Sequence, residues 1–534
     1  MNRLVLMIGT AAVVAAAPAD AQRRKQVTPY IEVGQVLTAD LDGPSDVLTY
    51  TSIAAGVDAS VQTARVEVQV NYRFEHREGW GDRVEDGDIH SGLARAAVKL
   101  GYGLNFESGA LATLARTDLR GAAPGSFAGN PSNLSQVYAA YLGPTLATHV
   151  GEATLNAAYR FGYTKVEEPS LPAFLPGQPR LDNFDDSTVH MATASLGTRA
   201  GTYAPFGMTL SGGWVREGTS QLDQRYDGKF ARFDAVQPVS PTLAVTAGVG
   251  YENIEISQRD PAVDASGAPV IDNNGRFVTD PASPRRIAYD FDGLFYDAGV
   301  IWRPSSRTTL TGRVGRRYDS MTYLGSLSYQ TSSRSGLQIG VYDSVTSFGR
   351  GLNDALSRLP TSFAASNDPF GNQFGGCIFA TGEGTNRGAC LNSSLGGVTT
   401  ANYRARGVDG VFTTAMGPYT LGFGGGYSNR RYLLPTLAIG TPLVNVTDEI
   451  YYAQAFASRT LGQRSTLSAN AYLNYFDSGI LNGSDVLAAG ANTSYSYSFG
   501  RLGATASLGV FGYDQEFVGS DVSAQGLVGM RYSF

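Results

Sequence analysis

Between Thr63 and Glu75 the chain alternates almost without fault. Ala64, Val66, Val68, Val70, Tyr72 and Phe74 fall on one side, and Arg65, Glu67, Gln69, Asn71, Arg73 and Glu75 on the other. A period of two means a β-strand whose faces meet different media. A dozen such residues exceeds the five or six usual in soluble sheets and suits a tilted strand crossing a bilayer, which needs about 9–11. The pattern recurs. Leu155, Ala157, Tyr159, Phe161 and Tyr163 oppose Thr154, Asn156, Arg160 and Thr164; Leu243, Val245, Ala247, Val249 and Tyr251 oppose Thr246, Gly248 and Glu252. Leu467, Ala469, Ala471, Leu473 and Tyr475 oppose Ser468, Asn470 and Asn474. Leu502 to Val510 fits only if the strand changes sides at Gly503 or Gly509. In hydrocarbon every backbone N–H and C=O needs a partner within the protein, so strands span only as a closed barrel.

The connections alternate short and long. Short ones fall near Glu107-Ser108, Gly151-Glu152, Pro304 to Arg307, Ser332 to Ser335, Gly462 to Arg464 and Gly500-Arg501; long Gly/Pro/Asp-rich ones fall at 77–90, 121–133, 167–187, 259–285 and 348–400. Outer-membrane barrels show this rhythm, with short periplasmic turns and long extracellular loops. The expected fold is all-β: a single large antiparallel transmembrane β-barrel of about 22 strands (any even number from 18 to 24), the first near 28–39 and the last at 522–534. No separate domain is expected, either as a plug domain before the barrel or as a passenger. At 16% charged residues the chain is poorer in charge than the usual 25%. A net charge of −6 argues against a nucleic-acid binder.

The ends carry addresses. Met1-Asn2-Arg3, the apolar Leu4 to Ala17 and Ala19-Asp20-Ala21 read as a signal peptide over 1–21, leaving 22–534 as the mature barrel. At the far end Val522, Ala524, Val528, Met530, Tyr532 and Phe534 share one face. A last strand ending Tyr-x-Phe resembles the signal read by the bacterial barrel-assembly machinery, a role that falls to Tyr532 and Phe534; the same rings also suit an interfacial aromatic girdle. The implied address is the bacterial outer membrane, with its lipid as partner.

Candidate chemistry is sparse. Cys377 and Cys390, in the longest loop, are expected to form a disulfide in an oxidising compartment. The histidines His76, His90, His149 and His190 show no ligand spacing, and neither Glu85 to Asp88 nor Asp272 to Gly275 fits a calcium loop, so no metal or cofactor is expected. With neither a G-x-S-x-G elbow nor an H-E-x-x-H helix, no catalytic residues are assigned and the chain does not read as an enzyme. Only four of the 41 basic side chains are lysines. Among the arginines, Arg65, Arg73, Arg160, Arg313 and Arg317 fall on polar faces and are expected in the lumen. Such a ladder either attracts anionic solute or pairs internally with Glu67, Glu75 and Glu252; the acidic total favours pairing. The 348–400 loop, stapled by its cysteines, is the expected constriction.

The stretch from Leu294 to Phe348 contains Trp302-Arg303-Pro304-Ser305-Ser306-Arg307-Thr308, Gly315-Arg316-Arg317-Tyr318 and Tyr323 to Tyr329. It resembles the outer-membrane β-barrel family associated with the PEP-CTERM/exosortase system. The resemblance implies a conduit or scaffold in extracellular polysaccharide export, with an anionic polysaccharide as a partner, and carries no catalytic residues. A small-solute uptake porin and an adhesive surface barrel are the alternatives. In the resemblance-bearing stretch itself, Pro304 and Ser305 are expected to make a tight turn between two spanning strands.

Overall fold

The computed structural model describes residues 24–534 except 43–46, 81–86, 118–133, 168–183, 185, 273–275, 365–369, 371–373, 381–385, 436–445, 478, 480–484 and 517–518. The leader over 1–21 lies outside the described residues, as do parts of the outer loops and of both acidic clusters.

Twenty-two strands form one antiparallel sheet in which each pairs with its neighbours in the chain. The last, Gly519–Ser533, pairs with the first, Arg24–Asp40, in a register running from Tyr30↔Ser533 to Asp40↔Ser523. The ring is therefore closed, and among the described residues no strand edge of it is left to hydrocarbon. Among the described residues no helix is long and apolar enough to cross a membrane; the crossing is made by strands.

Alternation decides which side chains meet lipid. In the first strand Val33 is 52% exposed and points outward, while Val36 is 1% exposed and points inward. The same split puts Leu210, Val249, Leu294, Leu473, Leu508 and Val528 on the outer surface, a band of large apolar groups that lipid rather than water must cover. Aromatic side chains flank it. Tyr72, Phe74 and Tyr138 surround His90, and Tyr159 and Phe161 surround His190. At the short-turn end the rings of Tyr532 and Phe534 lie 5.1 Å apart, with the backbone N–H of Phe534 donating to Pro29 O. The protein is an outer-membrane β-barrel.

The turns correct several expectations. The one expected at Glu107-Ser108 is at Tyr102-Gly103, both with positive φ (52° and 80°), and Glu107 and Ser108 lie inside the strand Leu104–Arg116. Two positive φ values match the right-handed twist of a hairpin, which a type I turn would splay. Pro304 and Ser305 end the strand Arg286–Ser305, and the turn itself is Ser306-Arg307. Nor are all outer connections long: Tyr318-Asp319, again with two positive φ values, joins Thr308–Arg317 to Ser320–Ser332. The strand Leu502–Gln515 needs no change of sides. Its register is unbroken, with Leu508 and Val510 outward and Ser507 and Phe511 inward.

Inside, charge is matched by charge. Arg430 and Asp448 face each other across adjacent strands with both side chains fully buried; Nε and Nη2 donate to the two carboxylate oxygens at 2.8 Å each, and the Tyr432 hydroxyl adds a third bond at 2.6 Å. Removing one member of such a pair leaves a buried charge without compensation, at a cost of about 3–5 kcal/mol, whereas replacing both costs far less. Asp448→Ala is expected to lower stability by about 3–5 kcal/mol in urea unfolding of protein refolded into lipid vesicles. The double change Arg430→Met, Asp448→Leu should recover most of that loss. A single change costing under about 1 kcal/mol would contradict the account.

Candidate functional site

The candidate site is the barrel's own interior. After the strand Ser335–Thr346 the chain turns inward and does not rejoin the wall until Asn402–Met416. The intervening segment begins with a helix, α1 (Phe348–Arg358). Ser347 caps it, its Oγ accepting from Arg350 N at 3.1 Å and donating to the Glu217 carboxylate at 2.6 and 2.7 Å. Arg350 Nη1 lies 3.4 Å from the same carboxylate, and its guanidinium sits over the Tyr226 ring. Glu217 is buried in the wall, so the point where the chain leaves the sheet is fixed by charge-assisted bonds.

The helix is held by packing as well. Phe348, Leu352, Leu356 and Leu359 are buried against Leu93, Leu111, Val137 and Val166 of the wall, with Phe184 edge-on to Phe348. These wall residues point into the lumen, where a water-filled barrel would carry polar groups. The sequence held a signal for this. In Leu134–Val150, Val137, Ala139 and Tyr141 point in while Tyr138, Ala140 and Leu142 point out, so both faces are apolar and protein must cover the inner one.

Polar side chains of the wall then grip the segment's backbone. Gln69 donates to Phe363 O at 2.7 Å and accepts from Phe363 N at 3.0 Å, imitating a strand partner. Gln454 Oε1 accepts from Cys377 N at 2.7 Å, and Gln338 Oε1 from Arg387 N at 3.1 Å. Arg95 Nη2 donates to Ser357 O near the end of α1, and Asn353 Nδ2 to Thr164 Oγ1. Thr164 belongs to the seventh strand and Gln454 to the eighteenth, on the opposite side of a ring of 22. The segment therefore crosses the lumen.

Cys377 and Cys390 form the expected disulfide, as directly opposed residues of the small hairpin Cys377–Phe379 and Gly388–Cys390. It rests on Gly424: a Cβ there would lie 2.4 Å from Cys377 Sγ, and one on Gly422 would lie 2.8 Å from the Phe379 ring. The Gly-rich run Leu421 to Gly426 is thus the seat for the hairpin.

Four of the five expected lumenal arginines are where the alternation puts them, and each has an acidic partner. Arg73 binds Glu75 and, at 3.2 Å, Glu32; Arg160 binds Asp354 of α1 at 3.0 Å. Arg313 binds Asp234 at 2.7 Å, and Arg317 binds Glu252 at 2.5 and 2.7 Å. Arg65 is a correction. It lies exposed in the turn between Val47–Gln62 and Val66–Gly79, because alternation carried past the strand's end assigns a face to a residue outside the ladder. The wall also holds arginines that the sequence reading passed over. Arg232 bridges Asp234 and Asp297, and Arg404 binds Asp343 in a fork. Among the described residues no group of three His, Cys, Asp or Glu side chains could hold a metal ion.

Fold and site together define an outer-membrane β-barrel whose lumen is crossed by its own loop. No family model matches the chain, and no curated protein matches it. Solved structures similar to it include the ferric-catecholate import receptor Fiu from E. coli K12, at 10% identity over 94% of this chain and 81% of that one, with a TM-score of 0.44. The siderophore receptor PirA from Acinetobacter baumannii matches at 10% identity over 95% and 80%, with a TM-score of 0.40. The FrpB iron transporter from Neisseria meningitidis matches at 9% identity over 95% and 81%, with a TM-score of 0.42.

The disulfide closes a loop with a sequence separation of 13, which by the chain-entropy argument is worth about 3 kcal/mol. Replacing Cys377 and Cys390 by Ser together is expected to leave the barrel folded, with an unshifted heat-modifiable band on electrophoresis. Local opening of the hairpin should rise by about two orders of magnitude, read as faster amide exchange at Ile378 and Ala389. Unchanged exchange there would show that packing on Gly422 and Gly424 suffices alone.

Proposed function

We propose that the protein is a loop-occluded transport conduit of the outer membrane, and that its cargo is an extracellular polysaccharide on its way out of the cell. The transport reading is carried by the crossing segment. An adhesive barrel has no need to fill its lumen, and an open porin would not anchor a loop to both walls. The paired arginines support it too. With Arg73, Arg160, Arg313 and Arg317 each neutralised by an acidic neighbour, these four offer little free positive charge to hold an anionic solute in place. The export direction and the polysaccharide rest on the resemblance over Leu294 to Phe348. The Tyr-x-Phe ending at Tyr532 and Phe534 supports an encounter with the barrel-assembly machinery.

Two measurements test this. In planar bilayers the intact protein should conduct weakly, and replacing 348–400 by a short Gly/Ser turn should raise single-channel conductance at least fivefold. Equal conductance would remove the occluding role. A deletion strain should secrete less polymer while its permeability to dyes and detergents barely changes. Normal polymer with slowed growth on one nutrient would favour an uptake porin instead.

A further inference from the structure

Beside α1 the lumen is not filled. Two adjoining cavities, of about 60 and 300 Å³, share Thr145, Ala158 and Thr193 in their linings and so form one lane. It starts at the Arg160–Asp354 contact and runs along the wall toward the short-turn end. Its two ends differ in chemistry. The upper, smaller part is lined by Glu107, Tyr141 and Arg160, an acceptor beside two donors. The Tyr141 side chain is 3% exposed, and among the described residues its hydroxyl has no hydrogen-bond partner. Buried polar groups of this kind are normally satisfied, so the unpartnered Tyr141 hydroxyl points to a hydrogen-bonding ligand in the lane.

Among the described residues, the lining of the lower part carries no charged side chain. Asn156, Thr193, Ser195 and Ser211 supply hydroxyl and amide groups, and Phe230 supplies an aromatic surface. Phe230 lies flat because its neighbour gives it room: a Cβ on Gly213 would come 2.5 Å from the ring. Tyr141 has the same kind of seat on Gly109, where a Cβ would come 2.6 Å from it. A ring laid against the wall presents its electron-rich face to the lumen, a platform for weakly positive C–H groups.

We propose that this lane binds a polyhydroxylated saccharide segment. The C–H face of one pyranose would rest on Phe230, ring hydroxyls would bond to Asn156, Thr193 and Ser195, and the next unit would meet Glu107, Arg160 and the Tyr141 hydroxyl. The inference deepens the export reading by naming the class of ligand and placing its contact on the periplasmic side of α1.

The test is saturation-transfer NMR and titration on the purified full-length barrel in micelles, with maltohexaose as probe and hexaethylene glycol as a control of similar reach. Maltohexaose should show saturation of its ring C–H protons and bind at least tenfold more tightly than the glycol. Phe230→Ala and, separately, Thr193→Val should each weaken it fivefold or more, while the lipid-facing Leu210→Ala leaves it unchanged. Equal binding of the two probes, or full affinity in the Phe230→Ala variant, overturns the proposal. Saccharide binding together with normal polymer secretion in the deletion strain would sink the export reading and leave the lane standing; lost secretion without binding would do the reverse.

Discussion

A backbone amide in hydrocarbon has no water to bond with, and an unpaired one costs several kcal/mol. That constraint shapes the whole molecule. It forces each strand to bond to two others, and the pairing of Arg24–Asp40 with Gly519–Ser533 is what completes the set. Once the ring is closed, alternate side chains must divide between lipid and lumen, so the composition of each face follows from geometry. The same constraint reappears within. The segment between Thr346 and Asn402 enters the lumen with its own peptide groups to satisfy, and Gln69, Gln338 and Gln454 meet part of that demand by offering an amide as a substitute strand.

The wall was legible in the sequence because lipid is a strict judge of every second residue. The strand count and closure followed from alternation and the number of turns, and the lipid-facing sets around Leu155, Val249 and Leu473 stand as read. Errors gathered where alternation has no force. Alternation gives Arg65 a face although it sits in a turn, and it cannot place the reversal near Glu107-Ser108, which the chirality of Tyr102-Gly103 decides. The break expected in Leu502–Gln515 came from treating small residues as lumenal misfits. Gly503, Ser507 and Gly509 sit inward without difficulty, and Gly509 leaves room for the Phe511 ring.

The interior was harder to read for a physical reason. Its occupant is distant in sequence from the wall it meets, so the match between Leu352 and Val137, or between Asn353 and Thr164, leaves no local period. Apolar residues on both faces of one strand were the available sign. The arginines were half legible: alternation placed four of five correctly, but partner choice depends on neighbours across the sheet. Arg313 has no acid on its own strand, Thr308–Arg317, and binds Asp234 and Asp297 of other strands. Arginine suits such positions because its planar fork matches two carboxylate oxygens, as at Arg317–Glu252, Arg404–Asp343 and Arg430–Asp448.

The strength of these anchors bears on how cargo would pass. Each neutral hydrogen bond from wall to segment contributes about 1 kcal/mol net, and each buried apolar side chain of α1 about 1.5–3 kcal/mol. Summed over Phe348, Leu352, Leu356 and Leu359 and the glutamine grips, expelling the whole segment would cost more than thermal motion supplies. A conduit built this way has two routes open to it. Either an external partner pulls the segment loose, or cargo slips past it where the packing stops. The lane beside Arg160 is such a place, and it begins where the apolar contacts of α1 give way to a single ion pair with Asp354. Breaking one half-exposed pair is a small step beside unseating a helix, so the easier path leads along the wall and leaves the disulfide-bonded hairpin in place.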